Sequence, residues 1–576
     1  MTTATTEPRT TDALSALRRL GVDLDTSTRR RAEYSYDASN YRLVPLAVVF
    51  PRTAQQVAAI VATCHRHTVP VTARGGGTSM AGGAVGRGVV LDFSRHMNAV
   101  LSVDPASRRA TAEPGVVLTA LRSAVHEASA GALTYAPDPS SQTRATLGGT
   151  IATEACGNHS VRHGRTADHV LALDLVTADG LRLTATNEGL HATVATDRAA
   201  VDRAQQLTNE LRALVHDHLS EFRLELGRIP RQVSGFHLSH LLPEHGFDMA
   251  RALVGSEGTC AIVVAATVQL VPVEPAALLV AVGYNDVVEA ARDVTTILEF
   301  GPAAIEGIDE VIVDTMRELR GADAVLGLSQ GRAWLYVDLD GADAAKVEAK
   351  AAELLDRLRA NGRMVDGRAV PDPVERASLW RVREDGAGLS SRLPSGDQSW
   401  PGWEDTAVAP DRLADYLHDF RTLLERFGLH GVMYGHFGAG CMHVRVSFDL
   451  RTESGRAVMT EFVRAGAELV VRHGGSLSGE HGDGRARSEL LPIMYSPRML
   501  TAFERFAGAW DPDRVLNPGV LVHPEHLGDN LALDGVPERG WRTSFDLAPS
   551  VTSTTQHHGD DFAHAVQACT KGSPVR

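Results

Sequence analysis

The stretch ARGGGTSMAGGAVG, residues 73–86, places six glycines in fourteen positions. Such a run cannot sit inside a helix or a strand. It reads as a loop whose backbone turns tightly or approaches something closely. What precedes it constrains the fold. LAVVF at 46–50 is a short apolar strand, and VPVTA at 69–73 is a second. Between them TAQQVAAIVATCHRH, residues 53–67, puts Val57, Ile60, Val61 and Cys64 on one helical face. Strand, helix and strand in so short a span predict a parallel pair, with the glycine loop leaving the end of the second strand. The loop matches neither G-x-G-x-x-G with its downstream acid nor a P-loop. Its successive N–H groups could still converge on one anion and cradle a pyrophosphate. A tight glycine turn with no ligand is the other reading.

The remainder of the chain sets broader bounds. Its 576 residues suffice for roughly two to four domains of ~150 residues each. A formal net charge of −14 disfavours a nucleic-acid partner. The five cysteines are scattered, with no C-x-x-C pair, so no local iron–sulfur or structural zinc motif can be assembled and a disulfide framework is not expected. A reducing compartment fits that pattern. Residues 1–11 read as disordered and lack the apolar centre of a secretory signal, and no run of about 18 apolar residues occurs. The expectation is a cytoplasmic protein, with attachment to a membrane surface left open.

Further elements follow from periodicity. A short helix at 11–22 carries Leu14, Leu17 and Leu20 on one face and stops at Gly21. Strands are expected at 88–93, 99–104, 109–115, 171–180 and 259–272, and helices at 116–128 and 201–226, the latter as an insertion. Pro272 and Pro275 bracket a domain boundary. A second α/β region opens at 277–286, with a strand at 333–341 and helices near 287–299, 343–360 and 411–427. Beyond about residue 525 the chain turns polar.

Three more segments join the glycine loop in a recognisable order: PDPSS at 137–141, LGGTIATEACGNHSVRHGRTADHVLALDLVTADG at 147–180 and GSEGTCAIV at 255–263. Over roughly residues 40–275 they resemble the FAD-linked oxidases, the vanillyl-alcohol-oxidase-like flavoproteins. The resemblance implies an α+β fold: a two-lobed PCMH-type FAD-binding domain at 41–275, after an N-terminal segment at 1–40. An α/β cap, or substrate, domain with an antiparallel sheet would fill 276–478. A C-terminal segment at 479–525 would return to the flavin and the metal, and 526–576 would be a polar tail. It further implies that Gly75, Gly76, Gly77, Thr78, Ser79 and Gly82 hold the FAD pyrophosphate. Pro137, Asp138, Gly149, Thr153, Cys156, Gly157, Ser160 and Gly164 would line the flavin, and Glu257, Gly258 and Ile262 would lie along the cofactor. Some relatives attach FAD through a histidine where this chain has Thr78, so noncovalent FAD is expected.

A second constellation lies in GHFGAGCMHVRV at 435–446 and SGEHGDG at 478–484. His436 and His443 are seven residues apart, which on one regular strand would put them on opposite faces. The intervening Gly-Ala-Gly lets the chain turn, so they can converge. Two imidazoles and Glu480 make a plausible divalent-metal site with open positions. Each residue alone reads as readily as a satisfied polar group of the core. The two segments resemble the FAD-dependent D-2-hydroxyacid dehydrogenases of the same family, as do LWRVRED at 379–385 and FAGAWDPDRVLNPG at 506–519. That subgroup includes D-2-hydroxyglutarate dehydrogenase, cytochrome-type D-lactate dehydrogenase and the glycolate oxidase flavoprotein subunit.

This resemblance implies His436, His443 and Glu480 as metal ligands, with Zn²⁺ the default metal. His481 would be the catalytic base, Arg383 the partner of the substrate carboxylate, and Asn517 a neighbour of the flavin. The expected reaction oxidises a small D-2-hydroxy acid, with D-2-hydroxyglutarate or D-lactate first in line, by hydride transfer to the flavin. Electrons would pass to a quinone, a cytochrome or an iron–sulfur protein, and a homodimer is possible. The chain departs from the subgroup in two places. Ala439-Gly440-Cys441 stands where Asp-Gly-Asn is usual, and Trp403-Glu404-Asp405 where many members have Lys-Tyr-Asp. A metal-free oxidase of a sugar or lactone, and a flavin subunit that depends on an iron–sulfur partner, are the alternative readings.

Overall fold

The computed structural model describes residues 6–389, 391 and 398–536. The expected polar stretch at 550–561 lies outside them. Three main sheets organise the described chain.

The first sheet has four strands. Strands Ala47–Phe50 and Val71–Arg74 each pair in parallel with Val89–Asp92, which lies between them. The two strands that flank the helix therefore run parallel, as their spacing requires, but they are not hydrogen-bonded to each other. The helix Ala54–Arg66 starts where the Thr53 side chain accepts from the Gln56 N–H. It buries Val57, Ile60, Val61 and Cys64. The N-terminal helix spans Thr6–Arg19, beginning earlier than its apolar residues indicate, and buries Ala13 and Leu17 in the same core.

The second sheet has six antiparallel strands. Ile262–Gln269 lies at its centre, between Val170–Val176 and Arg109–Ala112. The segment between these strands in sequence holds the helices Arg198–Asp217 and Leu219–Glu225. The longer one turns Leu207, Leu211 and Leu214 inward and packs beside the helix Pro497–Trp510.

The third sheet has seven antiparallel strands, beginning at Ala276–Tyr284. Both of its faces are covered. Along Ala276–Tyr284, Leu278, Val280 and Val282 face one core, while Leu279 and Ala281 face another formed with helices Glu310–Arg320 and Pro373–Leu389. A sheet covered twice reads as a continuous apolar run rather than an alternation, which is why ALLVAV carries no period of two. Gly431–Gly435 and Cys441–Val446 form a hairpin in this sheet, joined by a single turn at Phe437–Ala439. After helix Glu453–Arg472 the chain runs back across the first domain. Asn517 donates its backbone N–H to the Val71 carbonyl, and Tyr41 donates its hydroxyl to the carbonyl of Leu527. Leu527 and Leu531 are buried, so residues 526–536 pack on the body of the protein.

Candidate active site

The glycine loop leaves the strand Val71–Arg74 directly. Added Cβ atoms would meet the Thr146 hydroxyl at Gly75 and the Arg144 carbonyl at Gly76. Gly77 and Gly82 have φ of +67° and +80°. These positions therefore need glycine for space or for conformation. The backbone N–H groups of residues 75–80 donate to no acceptor among the described residues. Consecutive free donors in a partly exposed loop form an anion cradle and fit a pyrophosphate. The Ser79 hydroxyl faces inward instead, accepting from the N–H groups of Ala81 and Gly83. Asn517 stitches the cradle to its surroundings: its amide donates to the carbonyls of Gly83 and Glu257 at 3.1 and 2.8 Å.

The segment expected to line a flavin forms a second wall. Gly149 and Thr153 lie in the short helix Leu147–Thr153. Cys156 is buried, with its thiol 3.7 Å from the Gly479 carbonyl. Asp138, also buried, donates its backbone N–H to the Cys156 carbonyl and holds the His159 ring at 2.6 Å, and Pro137 precedes it. Ser160 opens the helix Ser160–His163, which Gly164 ends at φ +77°. Glu257 and Gly258 both take positive φ, and Ile262 starts the central strand. The Glu257 carboxylate accepts the N–H groups of Asp483 and Gly484 at 2.7 and 2.9 Å. This contact ties the wall to the loop that carries Glu480 and His481.

That loop meets the hairpin of the third sheet. His436 follows the first hairpin strand and His443 lies in the second. Gly440, at φ +70°, turns the chain where a Cβ would land on the Val408 carbonyl. The two rings stand 5.0 Å apart at 90°. The His481 ring stacks on His443 at 5.1 Å. All three Nε2 atoms surround one oxygen: Glu480 Oε1 lies 3.4 Å from His436, 3.6 Å from His443 and 3.5 Å from His481. These distances are long for good hydrogen bonds. The Nδ1 atoms of His443 and His481 have no hydrogen-bond partner among the described residues. Imidazole nitrogens and a carboxylate converging in a buried space are the donor set of a divalent cation. His436, His443 and Glu480 form one such group, and Asp405, His443 and His481 form another that shares His443.

The electrostatics favour that reading at His443 and Glu480, whereas at His436 burial is outweighed by Glu306, which raises it above the ordinary histidine value. Burial, followed by the neighbouring His436, holds His443 well below the ordinary histidine value, in the neutral form that binds metals. Burial opposes the charged form of Glu480, but His436 and other donors outweigh it and keep the carboxylate ionised. Burial likewise opposes His481, yet Asp405 and Glu480 push it up to about 9.

Three side chains to which the motifs assign no role, Arg231, Asp405 and Glu306, hold these groups in place. Arg231 is almost fully buried and donates to Glu480 Oε2 at 3.1 Å, to the Ser160 hydroxyl and to the Gly157 carbonyl. The Gly157 N–H also reaches Glu480 Oε2, at 2.9 Å. Asp405 accepts from the Ser478 hydroxyl and from the N–H groups of Glu480 and His481 at 2.6, 3.1 and 2.8 Å. It belongs to the triplet that departs from the resembling subgroup. Its neighbour Glu404 is buried, and neither carboxylate oxygen is hydrogen-bonded among the described residues. Glu306, in strand Ala304–Asp309, contacts both His436 and Arg383. Arg383 lies 4.8 Å over the Tyr434 ring, and its hydrogen bonds among the described residues go to Glu306. A lone Glu in an apolar strand and a lone Arg after a helical segment carry no local signal. Their partners are between 71 and 249 residues away in sequence.

Sequence comparisons place the molecule. The model "FAD binding domain" matches residues 45–186, and the model "FAD linked oxidases, C-terminal domain" matches residues 274–521. A D-2-hydroxyglutarate dehydrogenase of Pseudomonas putida is 32% identical over 92% of this chain and 53% of its own length. The glycolate oxidase subunit GlcD of Escherichia coli is 30% identical over 90% of this chain and 92% of its own. The chain thus spans about half the length of the D-2-hydroxyglutarate dehydrogenases it matches. Among solved structures, p-cresol methylhydroxylase shares the fold with a TM-score of 0.64 at 15% identity, covering 90% of this chain and 98% of that one. No helix among the described residues is long and apolar enough to cross a membrane. The cradle, the two-part fold and the matches over both parts agree: the chain belongs to the FAD-linked oxidase family.

Proposed function

We propose that the chain is an FAD-dependent dehydrogenase that oxidises a D-2-hydroxy acid to the 2-oxo acid, with a divalent metal, Zn²⁺ by its donor set, held by His436, His443 and Glu480. The observation that carries this reading is the convergence of three imidazole Nε2 atoms on Glu480 Oε1, beside the Gly157 N–H of the flavin wall. A sugar or lactone oxidase without a metal has no use for that cluster. When bound, FAD accepts the C2 hydride, and the metal polarises the substrate hydroxyl and fixes its orientation.

The chain's own residues do the rest. Residues 75–80 and Gly82 hold the pyrophosphate through backbone N–H groups, noncovalently, with Thr78 at the position where some relatives carry the attachment. Arg383 binds the substrate's C1 carboxylate through Nη1, which no acceptor among the described residues engages. His481 takes the hydroxyl proton on Nε2 while Asp405 fixes its backbone. D-2-hydroxyglutarate and D-lactate are the first substrates to test. The acceptor is a quinone, a cytochrome or an iron–sulfur protein, and the likeness to a named oxidase subunit favours a separate polypeptide.

A dye-coupled assay on the purified chain tests the reading. D-2-hydroxyglutarate, D-lactate, L-lactate, glycolate and a sugar lactone are compared. Turnover with one or more D-acids and none with L-lactate is expected. Turnover with the lactone alone contradicts it. Two further results are expected. Gly76→Ala drives a methyl group into the Arg144 carbonyl and displaces free donors, so FAD affinity falls by about tenfold or more, ~1.4 kcal/mol. This is read from the bound-flavin absorbance after dialysis. Zinc binding to the metal-free protein at neutral pH releases protons, because His436, raised despite burial above the ordinary histidine value by Glu306, must free its Nε2. In addition His481, pushed despite burial up to about 9 by Asp405 and then Glu480, loses part of that support when a cation takes up the Glu480 charge. Calorimetry in buffers of different ionisation enthalpy reads the release, and equal heats in all buffers would contradict it.

A further inference from the structure

Glu306 is fully buried in the strand Ala304–Asp309. Its two oxygens do different things. Oε1 lies 2.7 Å from His436 Nδ1, and Oε2 accepts from Arg383 Nε at 3.1 Å and lies 3.0 Å from Nη2. One carboxylate thus touches two side chains to which the proposed function gives separate tasks, and it can serve both at once. A proton on Nδ1, donated to a carboxylate, leaves the Nε2 lone pair free, and Nε2 is the atom that faces Glu480. The same carboxylate compensates the buried guanidinium and fixes its plane over Tyr434, leaving Nη1 without an acceptor among the described residues.

We propose that Glu306 is a positioning residue that couples the metal seat to the substrate-carboxylate anchor, setting the tautomer of His436 with one oxygen and the orientation of Arg383 with the other. The inference rests on the roles assigned above to His436 and Arg383. It separates two kinds of substitution. Glu306→Gln keeps the shape but has one acceptor oxygen and one donor nitrogen. It can accept from His436 or from Arg383. Serving one turns the NH₂ group against a donor on the other. Glu306→Asp keeps the charge and shortens the reach, so it cannot span both partners.

The test uses the FAD-loaded full chain. Zinc affinity is measured by competition with a chromophoric chelator in the absence of substrate. KM for the preferred D-2-hydroxy acid is then measured at saturating zinc, with FAD content and melting temperature followed in parallel. For Glu306→Gln, zinc binding should weaken by about 10–100-fold. KM should stay raised by about tenfold or more when the metal site is filled, while FAD content stays at the wild-type level. Glu306→Asp, the second variant should the first not fold, should shift both quantities in the same direction. Zinc affinity equal to wild type, or a KM restored fully by saturating zinc, would overturn the coupling. So would loss of FAD in step with zinc in both variants, since that marks a purely structural role. A wild-type chain that binds no zinc would instead overturn the metal reading, and that control is read before any variant is compared.

Discussion

Replacing His481 with alanine should leave a folded, yellow protein whose flavin is reduced by substrate about 10²–10⁴-fold more slowly, the usual contribution of a positioned general base. The loop does not depend on the ring. Its backbone is fixed by Asp405 through the N–H groups of residues 480 and 481, and by Glu257 through those of residues 483 and 484. Apart from its stacking on His443, the polar contacts of the ring are long, 3.5 Å to Glu480 and 3.9 Å to Glu404 and Asp405. Its removal therefore costs little stability, and the FAD cradle lies on other residues. Stopped-flow reduction under anaerobic conditions reads the chemical step directly. Reduction at the wild-type rate would remove His481 from the proton transfer.

Replacing Glu480 with alanine should do more damage. It removes a proposed metal ligand, and it also leaves Arg231 buried with its carboxylate partner gone. Breaking a buried ion pair from one side costs about 3–5 kcal/mol, which should appear as a lower denaturation midpoint. The Gly157 N–H loses its acceptor as well, so the segment proposed to line the flavin loosens along with the proposed metal seat. Glu480→Gln separates the effects. The amide oxygen can still accept from Arg231 and Gly157, so much of the stability should return while zinc binding and flavin reduction stay lost. Full activity in Glu480→Gln would show that the carboxylate charge has no part in the reaction.

Much of this was legible in the chain because it is local. The helix Ala54–Arg66 has its period, its Thr53 cap and its flanking strands within 28 residues, Ala47–Arg74, and all three elements appear where the pattern puts them. The intervening strand Val89–Asp92 is a non-local choice, so the order within the sheet was not legible. The histidine pair could be foreseen to converge because Gly440 permits the turn. Arg231 and Glu306 could not be foreseen. A buried charge is recognised by its partner, and theirs arrive from other elements of the fold. Asp405 shows the opposite case. In sequence its triplet looked only like a departure, yet the structure makes it the acceptor that shapes the 478–481 loop.

The most direct test of the account is anaerobic bleaching of the bound flavin, followed near 450 nm, in one protein sample before chelation, after EDTA and dialysis, and after zinc is restored. With D-2-hydroxyglutarate or D-lactate, the account predicts fast bleaching, its loss by about tenfold or more without metal, and its recovery with zinc, corresponding to at least ~1.4 kcal/mol of barrier. Bleaching at an unchanged rate in the chelated protein would contradict the claim that His436, His443 and Glu480 hold a metal that serves the reaction.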